Sequence, residues 1–428
     1  MKDVVGHASQ HGNSGIADHA SQRGKLRILL LGEYSNVHNT LAQGLRHLGH
    51  DVTVASNGDF WKDYPRDIDL ARRPGKLGGL ALLAKVYRQL PRWRGFDVVQ
   101  IINPMFLELK AERIMPIYRY LRRHNKAIVL GAMGMDWYWV HECTYRKPLR
   151  YSDFNIGDRL RTDEAALREQ RDWIGTPKER LNKLVAKECD AIVSVLYEYH
   201  VCYQPYFPEK LRFIPLPIGS MGPIGHIGPI SPISPIGPIS PIGPISPIGP
   251  ISPIGPIGPI GPIGHTAPFR LFIGISKGRS AYKGTDIMLR AAEAVQQKYP
   301  DRLQIIKAEG LPFDQYQQRL DGSDALMDQL YAYTPAMNAL LAMSKGIIVI
   351  GGGEPENYEI IGERELRPIV NVQPTFESVC HELEQLVLHP ERIPELKRQS
   401  IAYVRRHHDY LKVARQYETL YQQLINKS

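Results

Sequence analysis

Three cations sit close together in the stretch GISKGRSAYKGTDIMLRAAE (274–293). Lys277, Arg279 and Lys283 are spread through a glycine-containing loop that follows an apolar run and precedes an amphipathic one. Helix N-termini and cationic side chains hold phosphate at such turns. One charged hydrogen bond of this kind contributes about 1.5–3 kcal/mol. The same pattern also describes a solvated basic turn. A second polar turn, GEYSNVHNTL (32–41), opens on Gly32 and runs into a helical pattern. Its backbone N–H groups can face an anion, and Asn36, His38 and Asn39 are its candidate side chains, although His38 also reads as a plain helix-entry residue. In GAMGMDWYWVHE (131–142), Trp137, Tyr138 and Trp139 can stack on a sugar ring or fill the core.

The elements that must position these residues alternate. Apolar runs at 26–32, 51–56, 96–103, 126–134, 189–195 and 211–218 read as strands, with helical spacing between them. The second half repeats the pattern, with strands at 269–276, 303–310, 324–330, 346–353 and 367–372 and a helix at 285–299. The tail, 400–424, reads as helical. Apolar strands alternating with helices predict parallel sheets covered on both faces. The expectation is two doubly wound α/β domains, 26–218 and 269–428, facing a cleft. Ligands of such sheets sit beyond the carboxyl ends of the strands.

Between them, 219–268 is a linker. From Gly222 to Ile263 the chain repeats GPI, GHI or SPI triplets. Proline at nearly every third position excludes helix and sheet interior and leaves polyproline II. Collagen is excluded because Ser231, Ser234, Ser240, Ser246 and Ser252 occupy its glycine slot. An expanded linker is tolerated because closure entropy grows slowly with length. The alternative is an isoleucine-lined ligand for a partner.

Composition narrows the function. The 428 residues carry a net charge of +9, and between Lys62 and Lys126 there are 15 Lys/Arg against 6 Asp/Glu. Such a surface draws anionic lipid, phosphorylated small molecules or nucleic acid. No nucleic-acid-binding signature accompanies it, so nucleic acid is the weakest of these. Four cysteines without CxxC spacing make a disulfide scaffold or a zinc site unexpected. No metal and no cofactor is expected, and a cytoplasmic location is. The first 25 residues are polar and read as a disordered lead-in rather than a secretory signal. In 75–95, Leu77, Leu80, Leu83 and Leu90 share a side with basic residues around them. This helix either packs on the sheet with a wet basic face or lies peripherally on the inner face of an anionic membrane.

The basic stretch at 274–293 resembles a segment of GT-B glycosyltransferases of the glycogen-synthase-like type. LAMSKGIIVIGG (341–352) is similar to that family's E-A-M-A-x-G-x-P-V-I block, and YLKVARQYETLY (410–421) to its closing helix. The resemblance implies two Rossmann-like domains and transfer of a sugar, of hexosyltransferase type, from a nucleotide sugar to a glycan or lipid-linked acceptor in polysaccharide synthesis. It puts the diphosphate on Lys277, Arg279 and Lys283. It aligns GMD with the family's H-G-x-D, which makes Asp136 the candidate catalytic carboxylate beside His38. Gly32, Asn36, Asn39 and Trp137 then fall on the acceptor side, and the repeat falls at the interdomain linker. The family's two donor-contacting glutamates align with Tyr333 and Leu341, so both carboxylates are missing. Asp328, Tyr333, Gly352, Gly353, Glu354 and Glu356 are the residues left for donor contact. Two rival readings are a nucleotide-sugar epimerase on the same architecture and a nucleotide-sugar-binding homologue without catalysis.

Overall fold

A computed structural model describes residues 24–219, 267–275, 278, 280–311 and 313–427. The Gly/Ser-Pro-Ile repeat, the lead-in up to residue 23, Lys277 and Arg279 lie outside the described residues.

The apolar runs of the first half become β1 (Arg27–Leu31), β2 (Asp51–Ser56), β3 (Ile68–Asp69), β4 (Val98–Ile101) and β5 (Ala127–Ala132). A small antiparallel hairpin of β6 (Asn155–Ile156) and β7 (Arg159–Leu160) follows, then β8 (Ala191–Ser194) and β9 (Leu211–Phe213). Seven of these form one sheet in the order β3-β2-β1-β4-β5-β8-β9. Every neighbouring pair in it is parallel. β9 stops at Phe213, short of the expected 218, because Pro215 and Pro217 carry no backbone donor for a ladder.

The second half gives β10 (Phe269–Ile275), β11 (Leu303–Glu309), β12 (Ala325–Met327), β13 (Ile348–Gly351) and β14 (Val370–Asn371). They form a parallel five-stranded sheet in the order β11-β10-β12-β13-β14. Both sheets reverse their strand order beside the first strand, as doubly wound sheets do. The core strands are buried throughout, for example Ile28 to Leu31 and Ala325 to Met327, which is why they read as continuous apolar runs.

The tail is helical, in two pieces, Ile393–His407 and Tyr410–Asn426. His408 and Asp409 break it: the Asp409 carboxylate accepts from the N–H groups of Leu411 and Lys412 and starts the second helix. The Ile218 N–H donates to the His408 carbonyl at 2.7 Å, and a His408 ring nitrogen bonds the Leu216 carbonyl at 2.9 Å. The last helix thereby crosses to the first sheet's domain and packs on the helix Val37–His47. Gly44 permits this: a Cβ there would lie 2.6 Å from the Ala414 Cβ. Tyr421 completes the contact by donating its hydroxyl to Gln100 of β4 at 2.7 Å.

Candidate functional site

The carboxyl ends of the two sheets meet. Glu198, which follows β8, accepts from the N–H groups of Tyr333 and Thr334 beyond β12, at 2.7 and 3.1 Å. Tyr151 donates its hydroxyl to Glu354, which follows β13. Any ligand of these sheets therefore sits in or beside the seam between the lobes.

On the second lobe, Lys283 ends a helical turn, Ser280–Lys283, that follows β10. Its carbonyl accepts from the Leu330 N–H at 3.0 Å, which docks the turn on the segment after β12. Asp328 lies in that segment. Burial raises its carboxyl above the ordinary range, while the Lys283 charge and hydrogen bonds from Asn338 and Gln329 act against the rise. Asn338 also donates to the Tyr316 hydroxyl at 3.0 Å. The Tyr316 ring closes over Gly274 near the end of β10, where a Cβ would come within 2.7 Å of its ring edge. A cation, a half-buried acid, an amide and an aromatic face are thus grouped beyond β10 and β12. Lys283 and Asp328 are the two predicted donor residues brought together here. Tyr316 and Asn338 were not anticipated, since each falls in an unremarkable helical pattern.

The remaining donor-side candidates serve the lobe contact. Tyr333 is buried, and its hydroxyl accepts from the Arg150 N–H at 2.7 Å. The Arg150 guanidinium lies over the Tyr333 ring at 4.9 Å. Arg150 also donates to Glu354 at 2.7 Å and to Glu356 at 2.5 Å. Glu354 additionally accepts from Gln373 at 2.7 Å. Burial would raise the Glu354 carboxyl, yet the hydrogen bonds from Tyr151, Asn371 and Gln373 and the Arg150 charge hold it below its ordinary value. Glu354 and Glu356 do reach the groove side, but they are bonded across the seam rather than open to a donor. The glycines beside them serve the chain itself: a Cβ on Gly352 would sit 2.1 Å from the Ala332 carbonyl oxygen, and one on Gly353 2.8 Å from the Ile369 side chain.

On the first lobe, the turn after β1 lines a cavity of about 130 Å³ that includes Gly32, Glu33, Tyr34, Phe60, Met105 and Glu108. The expected N–H anion site at this turn is already filled. The Glu33 carboxyl accepts from the N–H groups of His38 and Asn39 at 3.2 and 2.8 Å. Asn39 is buried and donates its side-chain amide to Asn36, whose φ of 72° is left-handed. His38 is fully buried, with one ring nitrogen on the Gly32 carbonyl at 2.8 Å and the other on the Gln100 amide at 3.2 Å. Burial pulls its pKa down to about 4. Both nitrogens are occupied inside the domain.

Asp136 likewise has a structural duty. It caps the helix Trp137–His141 by accepting from the Trp139 N–H at 2.9 Å, and it accepts from the Tyr203 hydroxyl at 2.7 Å. Burial raises it to about 6. Trp137 is buried between His141, stacked at 4.3 Å, and the Lys183 ammonium at 4.0 Å, so the core alternative for this aromatic cluster is the one realised. Among the described residues no three His, Cys, Asp or Glu side chains are grouped to hold a metal ion.

Glu33 and His38 give opposite pH dependences. The buried Glu33 carboxyl is raised by desolvation to about 8 from 4.5. Unfolding therefore releases a proton between these values, and stability falls as pH rises through the window. The contribution of neutral His38 is present above its unfolded 6.5 and is lost as pH falls toward 4. The Glu33→Gln variant isolates the first effect. Its thermal midpoint is expected to fall less between pH 6.5 and 8 than that of the parent. Parallel midpoint curves for the two proteins would contradict it.

Two facing doubly wound lobes with a seam at their strand ends define the GT-B fold, and the chain has it. No protein-family model matches the chain, and no curated protein matches it in sequence. Solved structures do. Sucrose-phosphate synthase from Thermosynechococcus elongatus aligns with a TM-score of 0.54 at 11% identity, over 94% of this chain and 100% of that one. Anabaena HepE, solved with UDP and glucose, gives 0.51 at 12% identity over 92% and 99%. A Listeria monocytogenes protein assigned as a UDP-N-acetylglucosamine 2-epimerase gives 0.52 at 11% identity over 95% and 98%. At these identities the likeness establishes the fold.

Proposed function

We propose that this chain is a glycosyltransferase of hexosyltransferase type. It moves a sugar from a nucleoside diphosphate sugar to a glycan or lipid-linked acceptor, in the cytoplasm, for cell-surface polysaccharide. The observation that carries the reading is the grouping of Lys283, Asp328, Asn338 and Tyr316 beyond β10 and β12, on the opposite lobe from the Glu33 cavity beyond β1. Lys283, joined by Lys277 and Arg279 close by in the sequence, neutralises the diphosphate as it leaves. Tyr316 offers an aromatic face to the base or sugar. The acceptor enters from the Glu33 side. The protein positions the two reactants, offsets the leaving charge and excludes the water that would hydrolyse the donor. Neither His38 nor Asp136 is given a part in the reaction, since their polar atoms are engaged within the domain. The sugar nucleotide is the substrate, and no further cofactor enters.

Calorimetry with UDP and GDP, followed by turnover of a labelled donor, tests the proposal. Binding of one nucleotide and transfer of label to an acceptor are expected. Binding with no turnover in any acceptor extract would instead favour the non-catalytic reading, in line with the missing glutamate pair. The likeness to the Listeria protein keeps one alternative specific: conversion of the labelled sugar to its epimer, without transfer, would replace transferase by epimerase.

A further inference from the structure

The helix Gly75–Gln89 has two apolar stripes on opposite sides. Gly78, Leu82 and Val86 are buried and face the core of the first lobe. A second row, Leu77, Leu80, Ala81, Ala84 and Tyr87, faces outward. Leu77 is 81% exposed, Leu80 60% and Tyr87 49%. Their spacing of three and four residues puts them on one face. A helix that only covers a sheet needs no second apolar row.

The border of that row is cationic. Residues 71–96 contain seven Lys/Arg and no Asp/Glu. Arg72, Arg73, Lys76 and Arg88 are exposed at the start, side and end of the ridge. Lys85 flanks its other side, 3.6 Å from Asp69. We infer that this helix is a seat for an anionic lipid surface, with the leucines entering the headgroup region and the cations meeting the lipid charges. Charge complementarity selects this occupant: the helix and the residues around it in sequence, 71–96, carry positive charge only, as interfacial helices do. A ridge three turns long falls short of the roughly 800 Å² per partner that a stable dimer buries.

The seat adjoins the acceptor-side cavity. Arg72 donates to the Gly75 carbonyl at the helix start, at 3.2 Å, and to the carbonyl of Glu108, a cavity-lining residue, at 3.5 Å. Docking would bring the mouth of the cavity beside the membrane surface. Among the described residues no helix is long and apolar enough to cross a membrane, so the contact is peripheral.

The test uses the full chain with vesicles of phosphatidylcholine and phosphatidylglycerol in equal parts, and with phosphatidylcholine alone. Sedimentation with the anionic vesicles is expected, weakened by added salt. The Leu77→Glu/Leu80→Glu variant is expected to lose about tenfold or more in vesicle partitioning, with its circular dichroism and thermal midpoint unchanged because both positions face solvent. No binding to anionic vesicles, or equal binding by parent and variant, overturns the inference. So does a parent that is dimeric by ultracentrifugation and becomes monomeric in the variant without having bound vesicles. Nucleotide affinity is measured on the same samples. The inference does not depend on the donor site, so either can fail alone.

Discussion

Lys283→Ala is expected to weaken UDP or GDP binding by about tenfold or more. A charged hydrogen bond to phosphate contributes about 1.5–3 kcal/mol, and each 1.4 kcal/mol is tenfold in affinity. The backbone around Lys283 is held independently of its side chain, through its carbonyl and Leu330. Removing the ammonium should therefore remove charge without dismantling the turn. The variant has a second signature. Burial already raises Asp328, and Lys283 is the leading influence against that rise. Without the lysine the carboxyl moves further up, and nucleotide binding acquires a different pH profile. Titration calorimetry at several pH values reads both effects. Unchanged affinity would remove Lys283 from the diphosphate and with it the centre of the proposed donor site.

Arg161→Ala is expected to destabilise the protein by about 3 kcal/mol, the scale for removing one partner of a buried ionic network. The Arg161 side chain is 7% exposed and bonds Asp163 at 3.0 Å. From the first lobe it donates to the carbonyls of Ala281 at 2.8 Å and Tyr282 at 3.1 Å, and it lies over the Tyr331 ring at 3.8 Å. Those carbonyls belong to the helical turn that ends at Lys283. In the proposed donor site Arg161 is therefore a positioning residue: it fixes the turn that ends at Lys283, and its guanidinium is spent on backbone carbonyls and Asp163. Truncation takes a donor from the carbonyls of Ser152, Ala281 and Tyr282 and the guanidinium partner from the Asp163 carboxylate. Urea denaturation should show the lower stability. Calorimetry should show weaker nucleotide binding, which Arg161→Lys restores only in part because lysine lacks the planar fork. A parent-like midpoint would show that the seam gains nothing from this residue. A lower midpoint with parent-like nucleotide affinity would make Arg161 structural only.

Much of the scaffold was legible in the chain. The strands at 27–31, 127–132 and 348–351 sit inside the apolar runs that announced them, because a strand buried on both faces needs an uninterrupted apolar stretch. Gly49, with φ of 92°, stands just past the first helix, where a glycine after a helical run marks a stop. The place of Lys283 just before the helix Thr285–Lys298 was legible for the same reason: a cation and a glycine between two periodic runs are visible locally. The seam was not. Arg150 meets Glu354 across 204 positions of sequence, and Arg161 meets Ala281 across 120. The segment carrying both arginines is loop and short hairpin, without a period to mark it. The crossing of the last helix was hidden for a related reason, since its apolar face fits either lobe and only the break at His408 and Asp409 directs it.

Alternating apolar runs were enough to dictate two doubly wound lobes and the segment between β10 and the helix Thr285–Lys298 that bears Lys283, because burial of strands and the backbone freedom of glycine are local requirements. They could not assign the acids. Glu33, Asp136 and Glu354 all stand near strand ends, and nothing local separates them. The fold gives Glu33 to a helix start, Asp136 to another and Glu354 to an arginine of the opposite lobe. Whether a carboxylate is open to a ligand depends on which donors lie within about 3 Å of it, and those donors come from parts of the chain that only folding brings near.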